Sequence, residues 1–168
     1  MNEPTASLEA RIQRLEDIEA IRNLKMRYAK LCDEGYDADG IVALFAEDDV
    51  SWVSDVFGTH VGREGIHAWF ANVDEEIRWA LHLMINPVVE IGPDGTRATG
   101  SFYLLELATM SSPGGGDPDA VIMTGKYADE FVKVDGEWKF KKIEVNFEQV
   151  SNLDQGWVKQ QFRQREPA

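Results

Sequence analysis

Cysteine is almost missing from this chain of 168 residues. Cys32 stands alone, which excludes an intrachain disulfide and a zinc centre built from several thiolates. Basic clusters are missing as well. Lys and Arg number 17 against 30 Asp and Glu, a formal net charge of −13. That balance disfavours nucleic acid and anionic membrane as partners, because both are negative themselves. Lys139, Lys141 and Lys142, set among apolar residues, fit a solvated strand face. No run approaches the ~20 apolar residues of a membrane span. The first residues, MNEPTASLEARIQRLEDIEAI, are acidic and amphipathic, without the apolar segment of a signal peptide. A cytoplasmic setting is therefore expected. There is no GxGxxG, and Gly114-Gly115-Gly116 has no GK[ST] behind it, so nucleotide binding has no support. His60 and His67 lack any HxxxH or HExxH spacing. They are expected at the surface, and neither a metal site nor a cofactor is expected.

What is present suits one globular domain over residues 1–168. Hydrophobic residues make up 43%, with only 6 prolines and 14 glycines, enough for one sizeable core. No repeat or linker divides the chain. From residue 7 to 32, Leu8, Ile12, Leu15, Ile18, Ile21, Leu24, Tyr28 and Leu31 recur at three- and four-residue steps, the spacing of a long amphipathic helix. Gly35 follows, where helices often stop. A short helix is expected at 37–46, strands at 50–56 and 59–61, and a helix at 62–72. Long strands then follow at 80–91, 96–109, 121–134 and 137–150, with turns at 92–95 and 135–136. Residues 111–119 (SSPGGGDPD) form the flexible loop, a lid if it borders a cavity. Helices first and a long meander afterwards is an α+β order. The core spans about residues 8–150, with 151–168 as a tail.

The last strand breaks its own rhythm. Trp138 and Phe140 are apolar at one parity; Ile143, Val145 and Phe147 are apolar at the other. A regular strand cannot bury both sets on one face. A bulge or bend near Lys141–Lys142 reconciles them, as a strongly curved sheet around a helix requires. Asn146 then points outward.

Three stretches carry a resemblance: LEDIEAIRNLKMRYAKLCDEGYDADGIVALFAEDDVSW, ALHLMINPVVEI and GKYADEFVKVDGEWKFKKIE. Over about residues 8–150 the chain resembles the SnoaL-like family of the nuclear transport factor 2-like superfamily. Scytalone dehydratase, hexachlorocyclohexane dehydrochlorinase and bile-acid 7α-dehydratase belong to it. The resemblance implies a cone-shaped α+β barrel, a curved and mainly antiparallel sheet around the long N-terminal helix. It also implies that Asp33 (AKLCDEG) orients His82 (ALHLMIN) as a base, with Tyr28 (MRYAKLCD) and Glu106 (ATGSFYLLE) matching two further positions of the bile-acid branch. Where the dehydrochlorinase has arginine, this chain has Ile143, which leaves no cation for a departing chloride. Homo-oligomers, trimers or dimers, are implied by analogy.

Without the family, the same residues have plainer readings. Asp33 suits a turn or cap. His82 suits a satisfied histidine of the core or rim. Tyr28 falls on the apolar helix stripe, and it stands about 140° round the helix from Asp33. Glu106 is in phase with Phe102, Leu104 and Ala108, where a carboxylate is costly unless paired or protonated. Trp52, Phe102, Ile143 and Val145 are expected to line a cavity and hold a small apolar organic ligand. Two functions follow. One is a cofactor-free lyase of dehydratase type, or a related isomerase, working on an apolar ring ketone such as a steroid or polyketide. The other is a non-catalytic binding or assembly subunit, like the small subunit of a ring-hydroxylating dioxygenase.

Overall fold

A computed structural model describes residues 7–163. The first helix, α1 (Leu8–Asp33), is capped by Ser7, whose hydroxyl accepts from the Ala10 amide at 3.2 Å. Its apolar stripe is used only in part. Ile21, Leu24, Tyr28 and Cys32 are buried, whereas Leu8, Ile12 and Leu15 stay exposed. The reason is where the helix meets the sheet. Its first buried anchor is Asp17, whose Oδ1 accepts from Lys133 Nζ at 2.6 Å and Trp138 Nε1 at 2.9 Å.

Helix α2 (Ala38–Ala43) is shorter than the pattern predicts. Phe45 already makes a parallel bridge to Phe140, and the Ala46 amide donates to the Phe140 carbonyl at 2.9 Å. Pairing with the sheet ends the helix early. Strands β1 (Ser51–Ser54) and β2 (Gly58–Val61) form a small antiparallel pair, followed by α3 (Gly62–Phe70) and a 3₁₀ turn at Val73–Glu75. The meander consists of β3 (Ile77–Ile91), β4 (Arg97–Met110), β5 (Asp119–Val134) and β6 (Glu137–Asn152). The six strands make one sheet in the order β2-β1-β6-β5-β4-β3, antiparallel except where β1 runs parallel to β6. This is the α+β cone expected from the sequence, with α1 on its concave face.

The bulge falls where parity demands it. Glu130 pairs with Lys142 and Phe131 with Phe140, so Lys141 is the extra residue. Trp138, Phe140, Ile143, Val145 and Phe147 are all buried, and Asn146 is exposed. A second bulge, not anticipated, makes Glu148 extra, between the pairs Gly125–Phe147 and Thr124–Gln149. Gly125 is required there: a Cβ would lie 2.8 Å from the Asn146 carbonyl oxygen.

Two further expectations change. Of the expected tail 151–168, residues 151–163 are tied to the sheet, and 164–168 lie outside the described residues. After α4 (Gly156–Lys159) the chain returns to β6: Phe162 bridges Val150, and Arg163 Nη2 reaches Asp119 Oδ2 at 2.7 Å. The glycine loop runs over 111–118, anchored by the Ser111 amide on the Glu76 carbonyl at 2.9 Å. None of its residues lines the cavity described below, so it is not placed as a lid.

Candidate active site

Strands β3 and β4 bring two inward positions face to face, because His82 pairs directly with Glu106 in their register. Across the concave face α1 ends at Asp33. Asp33 Oδ1 accepts from the His82 backbone amide at 2.9 Å and lies 2.7 Å from His82 Nδ1. A carboxylate can only accept, so Nδ1 carries a proton. The other ring nitrogen, Nε2, lies 3.4 Å from Glu106 Oε2. The imidazole thus sits between two carboxyl groups, and its side chain and that of Glu106 are 6% and 4% exposed.

The electrostatics follow from this sandwich. Burial alone pulls the His82 pKa down, but the Glu106 and Asp33 charges outweigh it and hold the imidazole above its ordinary value. Glu106 is pushed up by burial; the His82 charge opposes that, and the Asp33 charge adds to it. Both shifts favour the protonated form of their group.

The three residues meet at one end of an almost wholly aromatic slot. Tyr28, Tyr36, Trp52, Phe57, Trp69, Phe70, Tyr127 and Phe147 line it, together with Val73, Ile77, His82 and Glu106. The free space is about 30 Å³, room for roughly two water molecules. Asp33 is not in the lining; it supports His82 from behind. This resolves the angular problem of the sequence, since Tyr28 faces the slot from the buried stripe and Asp33 reaches the histidine from the helix end. The Tyr28 hydroxyl accepts from Trp52 Nε1 at 2.9 Å.

The structure brings together Asp33, His82, Glu106, Tyr28 and Trp52. It does not bring Phe102, Ile143 or Val145 to the slot. All three are fully buried, but Phe102 lies four residues along β4 from Glu106, about 13 Å at strand spacing, beside Lys25. Ile143 and Val145 pair with Trp52 and Ser54 in the sheet, and Phe147, further along β6, lines the slot instead. His60 is not a free surface residue: it stacks on Trp69 at 4.7 Å, while the half-buried His67 pairs with Asp39 at 3.1 Å. Among the described residues no His, Cys, Asp and Glu group is arranged to hold a metal.

Tyr36 and Tyr127 escaped sequence reasoning. Tyr127 shares the inward parity of Met123 and Phe131, which is a usable signal. Tyr36 sits in the turn after α1, and nothing local marks it as buried. Deeper still, Lys25 Nζ and Asp129 Oδ2 form a completely buried ion pair at 2.8 Å, with Lys25 3.2 Å from the centroid of the Tyr127 ring. A larger groove of about 670 Å³ lies between the β3–β4 turn, β5 and Glu47–Asp48. It contains no histidine.

Known proteins resemble this chain in fold. A protein of Novosphingobium aromaticivorans provisionally assigned as an aromatic ring hydroxylase is 27% identical, with a TM-score of 0.71 over 82% of this chain and 94% of its own. Another from the same species, provisionally assigned as a scytalone dehydratase, is 23% identical, with a TM-score of 0.73 over 83% and 89%. The hexachlorocyclohexane dehydrochlorinase LinA-type3 of Novosphingobium barchaimii is 22% identical, with a TM-score of 0.73 over 84% and 93%. No curated protein matches the chain. Residues 13–144 match the SnoaL-like domain, and on that match over most of its length the chain belongs to the SnoaL-like family, with the nuclear transport factor 2-like cone fold.

Proposed function

We propose that the protein is a cofactor-free lyase of dehydratase type. It removes a proton from carbon beside a ring ketone and expels a neighbouring hydroxyl as water. The observation that carries this reading is the row Asp33–His82–Glu106, ending in a buried aromatic slot. Asp33 fixes the His82 tautomer and stabilises its charged form. The His82–Glu106 pair holds and moves the proton, which is general acid–base work. The Tyr28 hydroxyl, whose oxygen already accepts from Trp52, has its own proton to donate to the ketone or the leaving hydroxyl. An apolar, flat ring compound of steroid or polyketide type suits walls of this kind, and an acidic chain suits a neutral one. A ketosteroid-isomerase-type reaction shares the first step and returns the proton to a different carbon.

The test is a screen of β-hydroxy ring ketones, steroidal and polyketide-like, for loss of water by mass spectrometry. His82→Ala should abolish turnover on any hit while the fold stays intact. Full activity in that variant sinks the reading.

A second reading, a non-catalytic assembly subunit, draws on the neighbour assigned to aromatic ring hydroxylation. Self-association is part of either reading. The outer face of β3 and β4 exposes Trp79, Leu81, Leu83, Ile85, Tyr103 and Leu107 as one apolar patch, which suits a second copy of the chain. No helix among the described residues is long and apolar enough to cross a membrane, and we assign the protein to the cytoplasm on its composition.

A further inference from the structure

A base must offer a lone pair to the proton of the substrate C–H, and both ring nitrogens of His82 already face carboxyl oxygens. Its Nδ1 is held by Asp33 at 2.7 Å and its Nε2 faces Glu106 Oε2 at 3.4 Å. Two other polar atoms are available. Glu106 Oε1 and the Tyr36 hydroxyl are buried without a hydrogen-bond partner among the described residues, on residues that are 3% and 7% exposed. Both side chains line the aromatic slot. Buried polar atoms are nearly always paired, so two orphans in one cavity mark where a ligand's polar atoms belong.

Tyr36 carries a second signal. Its φ of 56° is in the left-handed region, which a bulky residue seldom adopts and which clusters at functional sites. The turn is closed by the Tyr36 amide on the Cys32 carbonyl at 3.2 Å. The ring is fixed by Phe70, stacked at 6.2 Å, and by the His82 imidazole, edge-on at 6.4 Å. The phenol is therefore held in place beside the His82–Glu106 pair.

Enolisation of a ketone needs one donor at the oxygen and one base at the neighbouring C–H. The two orphan atoms are one hydroxyl and one carboxyl oxygen. We infer that Glu106 Oε1 takes the proton from the substrate carbon and that Tyr36 donates a hydrogen bond to the ketone oxygen, with Asp33 and His82 as the positioning pair behind Glu106. This assignment rests on the lyase reading above. The C–H bond breaks, its proton forms an O–H bond with Oε1, and its electron pair becomes the C=C of an enolate. The enolate oxygen accepts from Tyr36. When the carbonyl re-forms, the pair moves to make the conjugated C=C and the C–O bond breaks. The departing hydroxyl takes the proton back from Oε1 and leaves as water, and Glu106 ends as the carboxylate it began as.

The charges around the site agree. His82, protonated and facing Asp33, compensates a charged Glu106, while the buried Lys25 opposes the His82 charge. Burial makes the Glu106 carboxylate a stronger base than a solvated one. Tyr36 is kept un-ionised by burial first, then by the Glu106 charge, so it remains a donor.

Nitrogen-15 NMR of the imidazole in the free protein at neutral pH tests the arrangement without any substrate. His82 should carry protons on both nitrogens in the native chain and become neutral in Glu106→Gln. A native His82 with a bare Nε2 overturns the inference. Exchange of the α-hydrogens of 2-tetralone in heavy water supplies the second arm. Glu106→Gln and Tyr36→Phe should each slow it about 10²-fold or more, and Tyr36→Phe should melt no lower than the native protein, since it removes an unpaired hydroxyl. Exchange within threefold of native in Glu106→Gln, alongside its loss in His82→Ala, overturns the role given to Glu106; the same result in Tyr36→Phe overturns that of Tyr36. If the native chain exchanges no ring ketone, the lyase reading has failed, and a doubly protonated His82 still identifies Glu106 as the charged group facing the slot.

Discussion

One oxygen of Asp33 holds His82 twice, accepting from its backbone amide at 2.9 Å and from Nδ1 at 2.7 Å. The two contacts separate under mutation. Asp33→Asn keeps an acceptor for the amide but loses the charge that stabilises the imidazolium. Turnover should fall by about 10²–10⁴-fold with little change in stability. Asp33→Ala also strands the amide, at a further cost of about 1–3 kcal/mol. Paired measurements of kcat and urea unfolding on the two variants decide this. Equal unfolding midpoints would remove the amide contact from the account.

The raised His82 pKa has a consequence for stability against pH. A group that binds its proton more tightly when folded stabilises the fold fully below its ordinary value, 6.5 here, and that contribution is lost as pH rises through the folded value. Glu106, also raised, has the same sign. Unfolding free energy should therefore decline as pH climbs above about 6.5, and His82→Gln should flatten that decline. A native profile that rises across this window contradicts the assignment.

Lys25 and Asp129 have no side-chain exposure, so neither charge can fall back on water. Asp129→Ala leaves Lys25 uncompensated and should destabilise by about 3–5 kcal/mol, whereas Lys25→Met with Asp129→Leu should come close to neutral. Chemical denaturation of the two single variants and the double variant forms the cycle. Additivity would show that the pair does not act as a unit.

The outer apolar patch predicts the oligomer. Light scattering behind size exclusion should find more than one chain per particle, and Leu83→Asp should shift it toward the monomer. His82 lies on the opposite face of the same strand, so its contact with Asp33 should survive. A native monomer at tens of micromolar removes self-association from the proposal.

The fold was legible because its signals are strong and periodic. Twenty-odd residues of helical spacing gave α1, and the conflict between Phe140 and Ile143 placed a bulge near Lys141–Lys142, where Lys141 is the extra residue. Of the site, Glu106 stood out because its phase with Phe102, Leu104 and Ala108 can be counted, whereas the pairing of Asp33 with His82 came from the family resemblance, since each alone suits a plainer role. Tyr36 was not, since its burial comes from an irregular turn whose φ no local pattern specifies. Phe102, Ile143 and Val145 show a different limit: parity tells which face a side chain takes, not how far along the strand a cavity lies. The short α2 shows tertiary pairing overriding local helical preference.

The two irregular strands have something in common that gives the cone its shape. Between matched partners, β6 runs from Glu137 to Asn152 against β5 from Val134 to Val121, two residues longer; β3 from Ile77 to Ile91 exceeds β4 from Met110 to Ala98 by two as well. The central β4–β5 pair matches residue for residue. Each flanking strand thus carries about 7 Å of surplus contour at strand spacing. Like the metals of a bimetallic strip, strands of unequal length bonded side by side must curl, and the curl comes from the surplus rather than from any one contact. Deleting Lys141 together with Glu148 leaves every inward side chain of β6 facing inward, yet it equalises the two lengths. The molecule would keep its core composition and flatten along β5 and β6, while the surplus of β3, which carries His82, would keep the other side curled.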